Sequence, residues 1–161
     1  MSNFDGYTEG TLFFDRLEAN VAGGRIHSLM PDDTQIEKFP DGKIKPFVVF
    51  RYGTPVRTRS DRTLAGERLQ PHRMPITIGS YAGTLDLARQ QTAHIMDFML
   101  DWRANNNSSA FITDGGDSFS EREAANTPTR FADLIYGSIV VNMAPNPADT
   151  FPPDGAIPPA E

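Results

Sequence analysis

The sequence predicts an α+β domain, an antiparallel or mixed β-sheet packed by two main helices. Two stretches, 11–21 and 84–103, space their apolar residues three and four apart, as one face of a helix requires. Three others, 47–52, 74–81 and 131–143, are rich in β-branched and aromatic residues with strand character. The order of helix, strands, helix, strands lacks the regular alternation of a doubly wound nucleotide-binding sheet. At 161 residues the chain falls within the usual domain size of about 100–200 residues. One domain is expected over residues 1–143, followed by a flexible tail at 144–161.

The first helix, 11–21, carries Leu12, Phe13, Leu17 and Val21 near helical spacing, with Asp15, Arg16 and Glu18 on the other side. Gly23-Gly24 ends it, since glycine takes the left-handed conformation that closes a helix. Residues 25–41 read as an extended or irregular crossing anchored by Ile26, Leu29 and Ile36, and Pro31 and Pro40 disfavour helix there. Phe47-Val48-Val49-Phe50 is a continuous apolar run bounded by Pro46 and by Gly53 and Pro55, and predicts a strand buried on both faces. Residues 56–70 hold few large apolar groups besides Leu64 and Leu69, and read as a long loop or a protruding hairpin. The strand at 74–81 puts Ile76 and Ile78 on one face and Thr77 and Gly79 on the other. It can pair with 47–52.

Residues 84–103 give the strongest helical signal. Leu85, Ala88, Thr92, Ile95, Met99 and Trp102 make one apolar stripe, and Thr84 is placed to accept a backbone hydrogen bond as N-cap. Asp86 suits the positive end of the helix, and Arg103 before Asn105-Asn106-Asn107 suits the negative end. Met96, Phe98 and Leu100 lie off the stripe, leaving apolar surface for a second contact such as another subunit. Next, 111–113 reads as a short strand, Asp114-Gly115-Gly116-Asp117 as a turn, and 131–143 as a long final strand with Gly137 as a bulge or bend. The tail, 144–161, holds six of the 13 prolines, three acids, and only Phe151 and Ile157 as large apolar groups. Such a segment is flexible, or ordered only against a partner.

The formal net charge of −6 is segregated. Residues 51–73 hold six arginines and two acids, a surplus of four positive charges, which leaves ten negative charges on the rest of the chain. The total disfavours an evenly basic nucleic-acid binder. The absence of cysteine excludes a disulfide framework, a thiolate zinc site and a cysteine nucleophile. The start, MSNFDGYTEG, lacks the basic residues and apolar run of a signal peptide, and no apolar stretch nears the ~20 residues of a membrane span. Aqueous, non-secreted surroundings and no membrane contact are expected.

No motif assembles a catalytic site. Gly23-Gly24 and Gly115-Gly116 match neither a phosphate-binding loop nor a dinucleotide-binding turn. Asp114 and Asp117 supply too few oxygen ligands for a calcium loop, and His27, His72 and His94 form no metal-binding pair. Gly79-Ser80 lacks the rest of a nucleophile elbow, and Asp32-Asp33 reads as a solvated loop. The expectation is a protein without catalytic residues, metal or cofactor.

The arginine segment carries the functional alternative to a merely solvated loop. Arg57 and Arg59 alternate, so on a strand they project from one face, and guanidinium forks suit carboxylates and phosphates alike. The acidic remainder of the chain favours a contact with another copy. Arg57, Arg59, Arg62, Arg68 and Arg73, with Met96, Phe98 and Leu100, are therefore candidates for subunit interfaces. A DNA-binding accessory protein using residues 51–73 is the reading from another class, and salt-dependent binding to duplex DNA is its signature.

Behind an opening helix, the segments RIHSLMP, PFVVFRYG, MPITIGSYA, TLDLARQQTAHIMDFMLDW and FADLIYGSIVVNM follow one another in a layout that resembles the tail terminator proteins of long-tailed, siphovirus-type bacteriophages. The likeness runs over residues 12–143. It implies a ring-forming α+β subunit, a homohexamer that caps the tail tube, stops its polymerisation and meets the head-completion or stopper protein. It further implies a virion protein at the head-proximal end of the tail, assembled in the host cytoplasm, with genome DNA passing through the lumen without sequence-specific binding. A neighbouring head-completion or stopper protein of the neck is the alternative within this class. The resemblance implies no catalytic residues.

Overall fold

In the computed structural model, which describes residues 7–57, 70–122 and 125–143, the chain runs α1 (Tyr7–Asn20), β1 (Ile26–His27), β2 (Phe47–Tyr52), β3 (Val56–Arg57), β4 (Gln70–Ala82), α2 (Leu85–Met99), β5 (Ile112–Glu121) and β6 (Arg130–Met143). The strands form one six-stranded sheet of order β1-β2-β4-β6-β5, with β3 also paired to β4. Among the described residues only β1 and β2 run parallel, and every other strand pair is antiparallel. The fold is thus α+β with a mixed sheet and two helices, as the sequence predicts.

The centre is the β4–β6 ladder, in which all 13 residues of β4 find partners, from Gln70 opposite Met143 to Ala82 opposite Phe131. On the other side of β4, β2 pairs from Phe47 opposite Tyr81 to Tyr52 opposite Ile76. Gly53, Thr54 and Pro55 interrupt that ladder before β3 resumes it with Val56 opposite Arg73. The interruption falls where proline cannot donate to a ladder. The Gly53 N–H still reaches the Pro75 carbonyl at 2.8 Å, so the path stays close to β4.

Strand alternation divides the core between two faces. Val48 and Phe50 of β2, and Met74, Ile76 and Ile78 of β4, meet Phe13 and Leu17 of α1 and Ile95 and Met99 of α2. Both helices therefore lie on one face. On the opposite face Phe47, Val49, Tyr81, Ala132 and Leu134 are covered by Ile36 and Ile44. These come from the crossing between β1 and β2, so the crossing serves as a third layer. The apolar run of β2 is buried on both faces for this reason. Ile26 and Ile36 are buried as expected, whereas Leu29 is 74% exposed and anchors nothing.

Several boundaries differ from the sequence reading. α1 begins at Tyr7, four residues early, because its first turn buries Glu9 and Gly10, which carry no apolar signal. Gly23 and Gly24, at φ 65° and 62°, close this region in the left-handed conformation. α2 is capped as expected, with Thr84 Oγ1 accepting from the Leu87 N–H at 3.2 Å. It ends at Met99, however, so Arg103 lies beyond the helix and does not serve its negative end. Asp101, at φ 59°, turns the chain away. Trp102 then packs edge-on against Phe13 with ring centroids 4.8 Å apart.

The largest correction is β5. Asp114-Gly115-Gly116-Asp117 is not a turn; it lies within a ten-residue strand. That strand is the sheet edge and exposes most of its residues on both faces, so it needs no apolar alternation. The irregularity expected at Gly137 sits instead on its partner, where the β5 register shifts between Thr113 and Gly115 opposite Gly137 and Tyr136.

Candidate interaction surfaces

The two described ends of the arginine segment meet where β3 pairs with β4. Val56 and Arg57 pair with Arg73 and His72. Beyond that pairing, Arg59, Arg62 and Arg68, and the side chain of Arg57, lie outside the described residues. The placement of Arg73 is a correction. The residue belongs to β4 rather than to the connection, and its guanidinium is already engaged within the chain. Its Nε donates to Ser138 Oγ at 3.0 Å, and its Nη2 forms an ion pair with Asp114, the residue at the β5 bulge.

The three off-stripe residues of α2 separate as well. Phe98 is half-buried between the helices, with its ring 5.2 Å from that of His94. The Arg16 guanidinium of α1 lies 5.8 Å from the Phe98 ring and 5.3 Å from the Trp102 ring, and Arg16 Nη2 donates to the Phe98 carbonyl at 3.0 Å. The second contact that this off-stripe aromatic calls for is thus α1 of the same chain. Met96 is also half-buried, against the core and beside an open groove formed with Thr113, Ser118 and Asp133. Leu100 alone stands out, 66% exposed.

A surface that sequence reading did not single out lies on the sheet face away from the helices. The crossing covers that face where Phe47, Val49, Tyr81, Ala132 and Leu134 lie. Toward the β3 end, Val56, Ile112 and Tyr136 are exposed, and Arg51, Arg73 and Pro75 are exposed among them. The alternation of Ile135 and Tyr136 was the available signal, but only the pairing of β5 with β6 brings Ile112 alongside.

Two buried polar features have structural explanations. The Glu9 carboxylate accepts from Asn105 Nδ2 at 3.0 Å, tying the start of α1 to the asparagine loop. Tyr81 is pushed above the usual tyrosine range, first by burial and then by the negative charge of Glu121, and nearby Arg51 and Arg130 only partly oppose this. Among the described residues no group of three His, Asp or Glu side chains gathers as for a metal ion, and no helix is long and apolar enough to cross a membrane.

Compared with protein-family models and with curated proteins, the chain matches none.

Proposed function

We propose that this chain is a structural virion subunit of the tail-terminator kind. In this reading it forms a homohexameric ring that caps a phage tail tube, ends tube growth and presents a surface to the head-completion or stopper protein. The virion location, the assembly in the host cytoplasm and the passage of DNA through the lumen belong to the same proposal. The role is carried by interfaces, and no residue is assigned to catalysis.

The observation that supports it is the asymmetry of the sheet. One edge is the ten-residue β5, exposed on both faces, and the other is the two-residue β1. A closed ring is built from heterologous contacts, in which one patch meets a different patch on the next copy, and unlike edges suit that arrangement. The layered α+β plan also agrees with the layout on which the resemblance rests.

The test is mass in solution and on tails. A species of about six chains, or rings seated on the ends of tail tubes, is the expected result. Arg57→Glu with Arg59→Glu is expected to impair assembly while leaving the monomer folded. A strict monomer at all concentrations that never associates with tubes overturns the proposal. A ring found one position nearer the head selects the stopper role instead.

A further inference from the structure

The two ends of the sheet are complementary in charge. Strand register sets Asp117 of β5, Leu134 of β6, Gly79 of β4, Val49 of β2 and His27 of β1 in one row across the sheet. Asp117 and His27 stand at its opposite ends. Residues paired across strands share a face, and Leu134 and Val49 mark this one as the face that carries the crossing. His27 lies on it with its ring 5.8 Å from that of Phe47. The β5 end is acidic: the strand carries Asp114, Asp117 and Glu121 and no Lys or Arg. Asp114 is paired with Arg73 and Glu121 with Arg130. Asp117 is exposed and is in no ion pair among the described residues. Its Oδ1 accepts from the Ser118 N–H at 2.8 Å, and Oδ2 is left for a partner.

The β1 end is cationic and hollow. A cavity of about 180 Å³, roomy enough for one carboxylate side chain, lies beside β1 between Arg25, His27, Glu37 and Lys45. Arg25 is held in place there. Its Nε donates to the Pro46 carbonyl at 2.7 Å, and its guanidinium occupies the space that a side chain at Gly23 would need. Glu37 is shared loosely, 3.9 Å from Arg25 and 3.5 Å from Lys45, and is itself exposed. Two cations against one exposed acid leave a positive surplus, and a guanidinium fork suits a further carboxylate.

We propose that β5 of one copy lies against β1 of the next and seats its Asp117 in this cavity, against Arg25 and Lys45. This contact rests on the ring reading and names the two patches that the ring joins. β1 and β5 run in opposite directions within the sheet, so a copy added edge to edge pairs antiparallel, the more stable arrangement. A rotation without rise, as ring closure requires, carries each row of the sheet into the same row of the next copy. Asp117 then arrives beside the next copy's His27. Because β1 has two residues, the shared ladder is short, and the ion pair fixes its register.

The absence of cysteine makes the test direct. Within one chain four strand spacings of about 4.8 Å separate β5 from β1, roughly 19 Å in all, beyond the ~7 Å between Cα atoms that a disulfide spans. In the full-length chain carrying Asp117→Cys and His27→Cys, a disulfide between the two positions therefore joins different copies. Under mild oxidation this variant is expected to link into a ladder ending at about six chains on non-reducing gels. It should do so at least tenfold faster than a control that combines Asp117→Cys with Ala93→Cys on the exposed side of α2. Equal rates, or no ladder, in a protein that is multimeric by mass overturn this contact and leave the ring standing. A protein that is monomeric by mass overturns both. Separately, Asp117→Arg is expected to raise the concentration for half-assembly at least tenfold at low salt, where charge attraction is least screened, and adding Lys45→Glu is expected to recover most of the loss. An Asp117→Arg variant that assembles as the wild type does overturns the seating of Asp117.

Discussion

Tyr81 stacks on Phe47 with ring centroids 5.1 Å apart and planes 6° from parallel. This pair of neighbours across β2 and β4 fixes the phenol in the covered half of the second sheet face. Burial is the main reason its ionisation is deferred above the ordinary value of 10.0. The folded state holds the neutral phenol, so its contribution to stability is full below about pH 10 and is lost as pH rises through the higher folded value. In absorbance titration near 295 nm, one of the four tyrosines is expected to ionise late, and Tyr81→Phe is expected to abolish that late step. A titration that is the same with and without Tyr81→Phe, apart from one fewer ordinary phenol, contradicts this.

Among the described residues the buried Glu9 has Asn105 as the partner of its Oε1, and its Oε2 has none. Removing the donor strands a carboxylate that is 1% exposed. Asn105→Ala is therefore expected to destabilise the fold by about 1–3 kcal/mol. The denaturant midpoint should fall with an unchanged slope, and a midpoint equal to wild type would show that the bond contributes nothing.

Gly137 admits its neighbours because it has no side chain. An added Cβ there would meet the Ile112 carbonyl oxygen and the Phe111 ring. The oxygen belongs to paired backbone and cannot withdraw alone. Gly137→Ala is expected to cost about 1–3 kcal/mol through overpacking, with β5 displaced in the resulting structure. Retention of wild-type stability would mean that β5 shifts freely.

Arg73 and Asp114 form a pair with both side chains substantially exposed, so solvent screens it. Arg73→Met is expected to lower stability by less than about 1 kcal/mol. Because the guanidinium is used within the chain, the same variant is expected to assemble normally. Loss of assembly without loss of fold would make Arg73 an interface residue.

What was legible in the sequence follows the physics of burial. β2 was readable because helices lie on one side and the crossing on the other, which requires apolar residues on both faces, and β4 because Ile76 and Ile78 of its helix-covered face alternate with Thr77 and Gly79. Thr84 was readable because an N-cap is a local event. β5 was not, since an exposed edge accepts Asp and Gly wherever its partner supplies the ladder. Phe98 reads as apolar surface for a second contact, such as another subunit, and the structure supplies one from α1, which α2 meets as well as the sheet. Of the interface candidates, Arg73 and Phe98 proved to have partners inside the chain. Ile112 and Tyr136 became visible as a surface only after distant segments were paired.

The contrast between the two long neighbours of β6 has a kinetic consequence. β4 lies between β2 and β6 and is packed by helices, whereas β5 has β6 as its one strand partner among the described residues and is largely exposed to water. Amide protons of β4 should exchange with solvent only through global unfolding, while those of β5 should exchange through a local opening that leaves the rest intact. The same sheet thus contains a slow, permanent interior and a quickly released margin, and that margin can change partners without the protein losing its fold.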